Sequence, residues 1–519
     1  MTSEILLSEV QFLELLLIAI LVAIAVKYIR LPYTIALVLC GLVISLVGFK
    51  GISLSEELIM LIFLPPLIFE GAIHIDLETL KENLLIILTL AFLGLIVAII
   101  ITGFLMYYLV SIPLLIALLF GAMIMPTDPV SVLAMFKKLG VSKRLSTIIE
   151  GESLFNDGTG VVLFTVILSI IETQKFSIIL TIFDFLRVVI LGLGIGFITG
   201  YAAYRILRHI DDHLIEVVLT GILAYGTFII CEHFHVSGVM GVLAAGLLIG
   251  NKGRVFAMSP KTRVAIQETW ELVAFIINSL IFLMIGTQIP IGEIATHISL
   301  VLVSIFVVVL ARAISVYLPL LILNLKLQKK VPLTWIHVIN WSGLHGSIPI
   351  ALLLSLHESQ IPEIKAHLDE LYFMVFGVVL FSLVFQGLSM EFLIKKLRLI
   401  ERKQEFEKYD RLLAEKIAIQ QALNELKAIR DRGEIPAVLY DELEKDLKHE
   451  LDETAKNVEE LITKYPEIKE KQMIYAKKRM LLAKKAAIHG LMIKGMISED
   501  LANEIIKEID SKLDEMTEL

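Results

Sequence analysis

Apolar runs long enough to cross a bilayer recur from Leu15 to about Ile394. Inside hydrocarbon no water satisfies backbone amides and carbonyls, so each run has to fold as a helix or join a closed barrel. Runs of about 20 residues, the length a helix needs to span roughly 30 Å, favour helices. Hydrophobic residues make up 57% of 519 positions and the mean hydropathy is +0.81, whereas soluble domains are roughly half apolar. After Leu399 the character changes, and positions 401–519 are rich in Glu, Lys, Asp and Arg at helical spacing. The expected fold is all-α: a polytopic membrane domain over 1–400 with inverted repeats, and a cytoplasmic charged helical tail over 401–519 built as two helical-hairpin repeats.

Punctuation divides the apolar part into about thirteen spans, near 10–29, 32–49, 56–73, 83–109, 113–136, 146–171, 180–205, 213–233, 237–250, 265–287, 293–323, 333–357 and 369–396. Loop charge tests that division, because cytoplasmic loops collect Lys and Arg. Loops after odd-numbered spans carry most of these residues, among them Lys81, Lys137, Lys138, Lys143, Arg144, Arg205, Lys261, Lys329 and Lys330, while loops after even-numbered spans hold only Lys50, Lys175 and Lys365. The alternation predicts a multi-pass protein of the plasma membrane with its N-terminus outside and its tail in the cytoplasm. Residues 1–10 carry no basic segment of the kind that opens a cleaved signal, so the first run is expected to stay as a helix.

Other classes recede. A net charge of -8 without a basic stripe argues against nucleic acid as a partner. Cys40 and Cys231 lie inside apolar runs, where a thiol behaves as a small hydrophobe, so neither a disulfide nor a cysteine metal site is expected, and no cofactor is expected either.

Two spans are interrupted, at Met125-Pro126-Thr127-Asp128-Pro129 in the fifth and at Trp341 through Pro349 in the twelfth. Proline removes an amide and glycine loosens the backbone, and unwound backbone at membrane depth survives only where protein or a cavity surrounds it. Paired interruptions in two halves of a chain mark the midplane site of a transporter. In the tail, Gly433-Glu434-Ile435-Pro436 followed by Leu451-Asp452-Glu453 is echoed by Gly495-Met496-Ile497-Ser498 followed by Leu513-Asp514-Glu515, which points to helical hairpins joined at glycine turns.

Ionisable groups within spans are costly and therefore functional candidates. Asp128 lies in the broken fifth span, Glu152 and Asp157 near the start of the sixth, and Arg312 in the eleventh. On a helix, Ser153 and Asp157 fall on one row and Glu152 and Asn156 on the next. With Asp128 and the carbonyl of Thr127, several oxygens converge where a hard alkali ion can bind. Arg312 is the only arginine near the middle of a span, which makes it the partner that lets Glu152 stay charged. Asp157 and Asp128 then remain for the ion. Sodium and a proton would compete for the same oxygens, and a site that faces either side only when loaded with one of them exchanges the two. Glu70 and Glu271 read as helix-end or interface groups, Asn278 and Ser279 as helix glue, and His74, His233 and His235 as loop residues.

The segment Gly151-Glu152-Ser153-Leu154-Phe155-Asn156-Asp157-Gly158-Thr159-Gly160 resembles the signature of the NhaP-type branch of the monovalent cation/proton antiporters, relatives of the eukaryotic sodium/proton exchangers. Phe63 through Glu70, Pro126-Thr127-Asp128-Pro129, Ser237-Gly238 through Asn251, Trp270 through Gly286 and Ala311-Arg312 extend the resemblance over most of 10–396. It implies a homodimer of thirteen-helix subunits in which spans 4 to 6 and 11 to 13 move past a dimerisation scaffold. It further implies that Thr127, Asp128, Ser153 and Asp157 contact Na⁺ or Li⁺, that Glu152 helps through water and that Arg312 holds Glu152. Asn156 before Asp157, where electrogenic relatives have a second aspartate, implies one-for-one electroneutral exchange. In one place the chain departs from the family: His345 stands where arginine is usual, either adding pH sensitivity or acting as a neutral spacer, with the spacer favoured. K⁺/H⁺ exchange is the nearest alternative. A cation channel lacks the expected carbonyl filter, and an intramembrane aspartyl protease lacks its Gly-x-Gly-Asp, since Gly192-Leu193-Gly194 runs into Ile195.

Overall fold

The structure is a computed structural model, and it describes residues 2–28, 31–46, 55, 57–175, 177–210, 212–254, 257–289, 296–400, 404–493, 496–498, 501–502, 504–506 and 508–509. The chain divides into two compact units, Met1–Ile400 and Glu401–Leu519. Helix dominates both.

In the first unit the helices are α1 (Thr2–Val26), α2 (Tyr33–Leu46), α3 (Leu64–His74), α4 (Leu77–Glu82), α5 (Leu84–Val110), α6 (Leu114–Ile124), α7 (Val130–Leu139), α8 (Lys143–Thr173), α9 (Ile178–Leu207), α10 (His213–His233), α11 (Gly238–Leu248), α12 (Pro260–Gln288), α13 (Ile298–Leu323), α14 (Leu333–Trp341), α15 (Ser347–Ser355) and α16 (Leu368–Lys396). Seven continuous helices among the described residues are long and apolar enough to cross a membrane, and shorter apolar helices fill the gaps. Taking α6 with α7 and α14 with α15 as interrupted spans, the helices follow the order expected from the apolar runs. The protein is a multi-pass membrane protein.

Close helix approach replaces hydrophobic collapse as the packing device, because lipid tails are as apolar as leucine. Gly196 of α9 faces Gly241 of α11 so closely that a Cβ on Gly196 would lie 1.9 Å from the Gly241 carbonyl oxygen. Gly41 of α2 and Gly286 of α12 meet in the same way, each with a Cβ position 2.2 Å from the other helix's backbone oxygen.

Four π turns interrupt the helices among the described residues: Leu58–Phe63 leading into α3, Thr89–Gly94 within α5, Ile249–Gly253 after α11 and Ser382–Gln386 within α16. Pro66 has no amide to offer the Ile62 carbonyl one turn back. The Tyr225 hydroxyl of α10 donates to that carbonyl instead, at 2.9 Å.

The second unit consists mainly of α17 (Gln404–Asp431), α18 (Ala437–Lys464) and α19 (Pro466–Ile493). Gly433, at φ +72°, makes the left-handed turn between the first two. Tyr409, Val458, Leu461 and Ile468 form a small core, and Arg430 lies 4.6 Å from the centre of the Tyr440 ring. The second copy of the tail repeat falls largely outside the described residues, which omit Gly495 and Leu513-Asp514-Glu515.

Candidate ion site

The interruption between α6 and α7 and the one between α14 and α15 pass against each other. Helices cannot supply partners for the freed backbone, so each group has to find one elsewhere. The Asp128 amide donates to the Leu344 carbonyl at 2.7 Å, joining the two linkers directly. The Thr127 amide donates to Asn156 Oδ1 at 3.4 Å, and the Thr127 carbonyl accepts from the Ser153 hydroxyl at 2.7 Å. The His345 amide donates to Ser382 Oγ at 3.2 Å. His345 Nδ1 lies 3.2 Å from the Pro126 carbonyl oxygen, an acceptor only, so this ring nitrogen carries the proton. At 2% exposed, His345 is thus a stitch between the two linkers.

Small residues let the linkers come this close. A Cβ on Gly346 would sit 2.2 Å from Asp128 Oδ2, and one on Gly160 would sit 2.2 Å from Pro126 Cγ. Asp128 also heads α7, with Oδ1 accepting from the Val130 amide at 3.0 Å.

The two rows of α8 separate into different environments. Glu152 and Asn156, each 1% exposed, face protein. Asn156 Nδ2 donates to Thr127 Oγ1 at 2.9 Å, so this amide is engaged with Thr127 through both of its ends. Glu152 Oε1 accepts from Arg312 Nη1 at 2.5 Å, and Arg312 Nη2 donates to the Ile339 carbonyl near the end of α14 at 3.1 Å. Arg312 therefore compensates both a buried carboxylate and the negative end of a half-helix. Ser153 and Asp157 face the other way, into a cavity of about 110 Å³ whose wall also carries Thr127, Asp128, Glu70 and Glu150. Asp128 and Asp157 are half-buried, as side chains on the wall of a small cavity should be.

Asp157, Asp128, Ser153 and Thr127 are brought to one cavity, while Glu152, Asn156 and Arg312 stand behind its wall. Three polar residues on the wall were not expected there. The sequence reads Glu70 as a helix-end or interface group and Asn278 as helix glue, and it does not single out Glu150. Glu150 had a signal: it precedes Ser153 by three residues and Asp157 by seven, on the same helical face. Glu70 and Asn278 had none, since other helices carry them in. His74 is the last residue of α3 rather than a loop residue, with Nδ1 3.2 Å from Glu70 Oε1 and Nε2 3.7 Å from Glu271 Oε1. No cluster of three or more His, Cys, Asp or Glu able to hold a metal ion occurs among the described residues.

Residues 15–396 match the profile of the family described as "Sodium/hydrogen exchanger, transmembrane". This chain belongs to that family. It is 41% identical over 401 residues to the Na⁺/H⁺ antiporter ApNhaP of Aphanothece halophytica, covering 77% of this chain and 76% of the relative. It is 35% identical to the Na⁺/H⁺ antiporter NhaG of Bacillus atrophaeus, a match that covers 96% of this chain and 97% of the relative and so includes the charged tail. The fold resembles that of the sodium proton antiporter MjNhaP1 of Methanocaldococcus jannaschii with a TM-score of 0.64, at 22% identity, over 76% of this chain and 99% of that one. Membership of the sodium/hydrogen exchanger family makes this a transport protein, and its two interrupted spans meet at a carboxylate-lined cavity.

Proposed function

We propose that this protein is a secondary active antiporter that exchanges Na⁺, or Li⁺, for H⁺ by competition at Asp157. The observation that carries this reading is the shared cavity of Asp128 and Asp157, with Ser153 and Thr127 in its wall. A cation entering it meets carboxylate and hydroxyl oxygens and has room to keep part of its water shell. The relatives named as Na⁺/H⁺ antiporters favour Na⁺ over K⁺ as the cargo.

The same contacts support a stoichiometry of one for one. Glu152 is neutralised by Arg312, and Asn156 is an amide held by Thr127, so neither adds a proton to the cycle. A carboxylate that releases its proton when Na⁺ arrives, and regains it when Na⁺ leaves, returns with no net charge moved. We also take the N-terminus to lie outside and the tail in the cytoplasm of a plasma-membrane protein, a reading that the distribution of basic loops supports. We further take the protein as a homodimer embedded in lipid: of an 18-residue apolar stretch within Thr181–Leu207 only 17% is buried, which leaves a large apolar surface to lipid or to a second copy. Residues 1–400 would form the exchange domain and 401–519 a cytoplasmic helical domain.

The test uses purified protein in proton-loaded vesicles, with internal pH and membrane potential followed together. Addition of Na⁺ or Li⁺ is expected to alkalinise the interior without generating a potential, and K⁺ is expected to be ineffective. Asp157→Asn should fold and insert but not exchange. Sodium binding that neither depends on pH nor releases protons would overturn the competition mechanism.

A further inference from the structure

A second cavity, of about 580 Å³, begins where the ion-site cavity stops. On three helices the lining passes from one to the other. In α8 the site cavity touches Asp157 and the second touches Val161, and in α15 the pair is Pro349 and Leu352. The steps are four and three residues, each about one helical turn of 5.4 Å. On α3 there is no step at all: Leu64 lines both cavities and is the only residue common to their walls among the described residues. It is 4% exposed. Glu57, Glu232 and His235 also line the second cavity and give it polar, titratable groups that a cation can approach.

We propose that Leu64 is the septum residue of the exchanger: its side chain, backed by Val161 and Leu352, is the layer that separates the Asp157 site from the second cavity. This rests on the reading of Asp157 as the ion site. The second cavity is then the approach from the side opposite the basic loops, and exchange remains coupled only while that one apolar layer is closed to a bare ion. An apolar constriction suits this task, since it excludes ions by withholding water.

The local backbone fits a layer that has to move. Leu64 directly follows the π turn Leu58–Phe63 and directly precedes Pro65 and Pro66. A π turn holds one residue more than an α-helix needs, and shifting that surplus along the helix turns the side chains beyond it without melting the helix. The Tyr225 hydroxyl on the Ile62 carbonyl holds the strand of helix on the near side of Leu64.

The test uses the full chain in sealed vesicles and measures ²²Na⁺ uptake driven by a membrane potential with no pH gradient. Wild type and Leu64→Met, which keeps the volume, should show background uptake and normal exchange. Leu64→Ala should take up Na⁺ at least about tenfold faster than wild type, as a barrier lowered by one decade in rate would give. Leu352→Ala thins the same layer from α15 and should leak in the same direction, which carries the test if Leu64→Ala does not fold. Val161→Cys, in a protein with Cys40 and Cys231 replaced by alanine, adds a readout that does not involve transport. A membrane-impermeant thiol reagent should label it in right-side-out but not in inverted membrane vesicles, and adding Leu64→Ala should admit the reagent in both. Folded Leu64→Ala and Leu352→Ala proteins without leak, or one-sided labelling that Leu64→Ala does not change, would overturn the septum. Full exchange by Asp157→Asn would instead sink the site assignment, because leak and labelling are read without that carboxylate.

Discussion

Replacing Arg312 with methionine should be among the most damaging single changes in the membrane unit, and the structure says why and by how much. Glu152 is 1% exposed and its Oε1 receives the Arg312 guanidinium at 2.5 Å. Breaking a buried ion pair by removing one partner costs roughly 3–5 kcal/mol, because the remaining charge is left uncompensated in low dielectric. The second contact of Arg312, to the Ile339 carbonyl, adds little, since the Ser342 hydroxyl also donates to that oxygen at 2.9 Å. For a unit spanning Met1–Ile400, an unfolding entropy of roughly 2.1 cal/mol/K per residue gives about 0.8 kcal/mol/K, so the loss corresponds to about 4–6 °C in melting temperature. Trp270, Trp335 and Trp341, the three tryptophans of the chain, all lie in this unit, so their fluorescence reports its unfolding in detergent. Changing Glu152 and Arg312 together to methionine removes both charges and should return the melting temperature close to that of wild type, since well-packed apolar replacements of buried pairs are often neutral. An Arg312→Met protein that melts with wild type, or a double variant that loses the sum of the two single losses, would refute the pair as the structure draws it.

Three further outcomes are expected. Gly346→Ala places a Cβ 2.2 Å from Asp128 Oδ2 and 2.7 Å from Asp128 Cβ, so it should displace that carboxylate and abolish vesicle exchange at an overpacking cost of about 1–3 kcal/mol in thermal stability. At the head of α4, burial works against the Asp76 carboxylate, but Lys143 at 2.6 Å and the amides of Thr79 and Glu78 outweigh it and hold its pKa below the ordinary carboxylate value. A depressed folded pKa gives stability that is full above the unfolded value near about 3.9 and is lost as pH falls through the folded one. The stability gap between wild type and Asp76→Asn should therefore be small at neutral pH, no more than about 1 kcal/mol because Lys143 is exposed, and should close under acid in a pH series of melts. Asn251 accepts from the Leu77 amide at 2.9 Å and donates to the carbonyls of Ile75 and Leu247 at 3.0 and 2.9 Å, tying the π turn after α11 to the α3–α4 bend. Asn251→Ala should cost about 1–3 kcal/mol by leaving those groups short of partners, as a thermal melt would record.

How much of this was readable in the sequence depends on whether the cause is local. Pro126, Pro129, Gly343 and Gly346 announce two interruptions because each acts on its own backbone. The pairing of Glu152 with Arg312 was readable because only one arginine stood near the middle of a span. The division of α8 into a cavity-facing row and a protein-facing row was not readable, although both rows were: which side faces the cavity depends on where the α6–α7 linker lies. Glu70 and Asn278 reach the cavity from α3 and α12, which the helix fold brings together across a sequence separation that no periodicity spans.

The π turns were the least legible feature and bear most directly on the site. No residue type marks them, since a surplus residue is a property of the count between two fixed points rather than of any side chain. Yet Ser382 opens one of them, and its hydroxyl both donates to the Val379 carbonyl at 3.0 Å and accepts the His345 amide at 3.2 Å. Another ends at Phe63, next to Leu64. A helix without the surplus would present different side chains at both places, one beneath the crossing linkers and one between the two cavities. Local chemistry thus accounts for which groups can bind an ion, and the surplus residues set where those groups and the layer beside them are held.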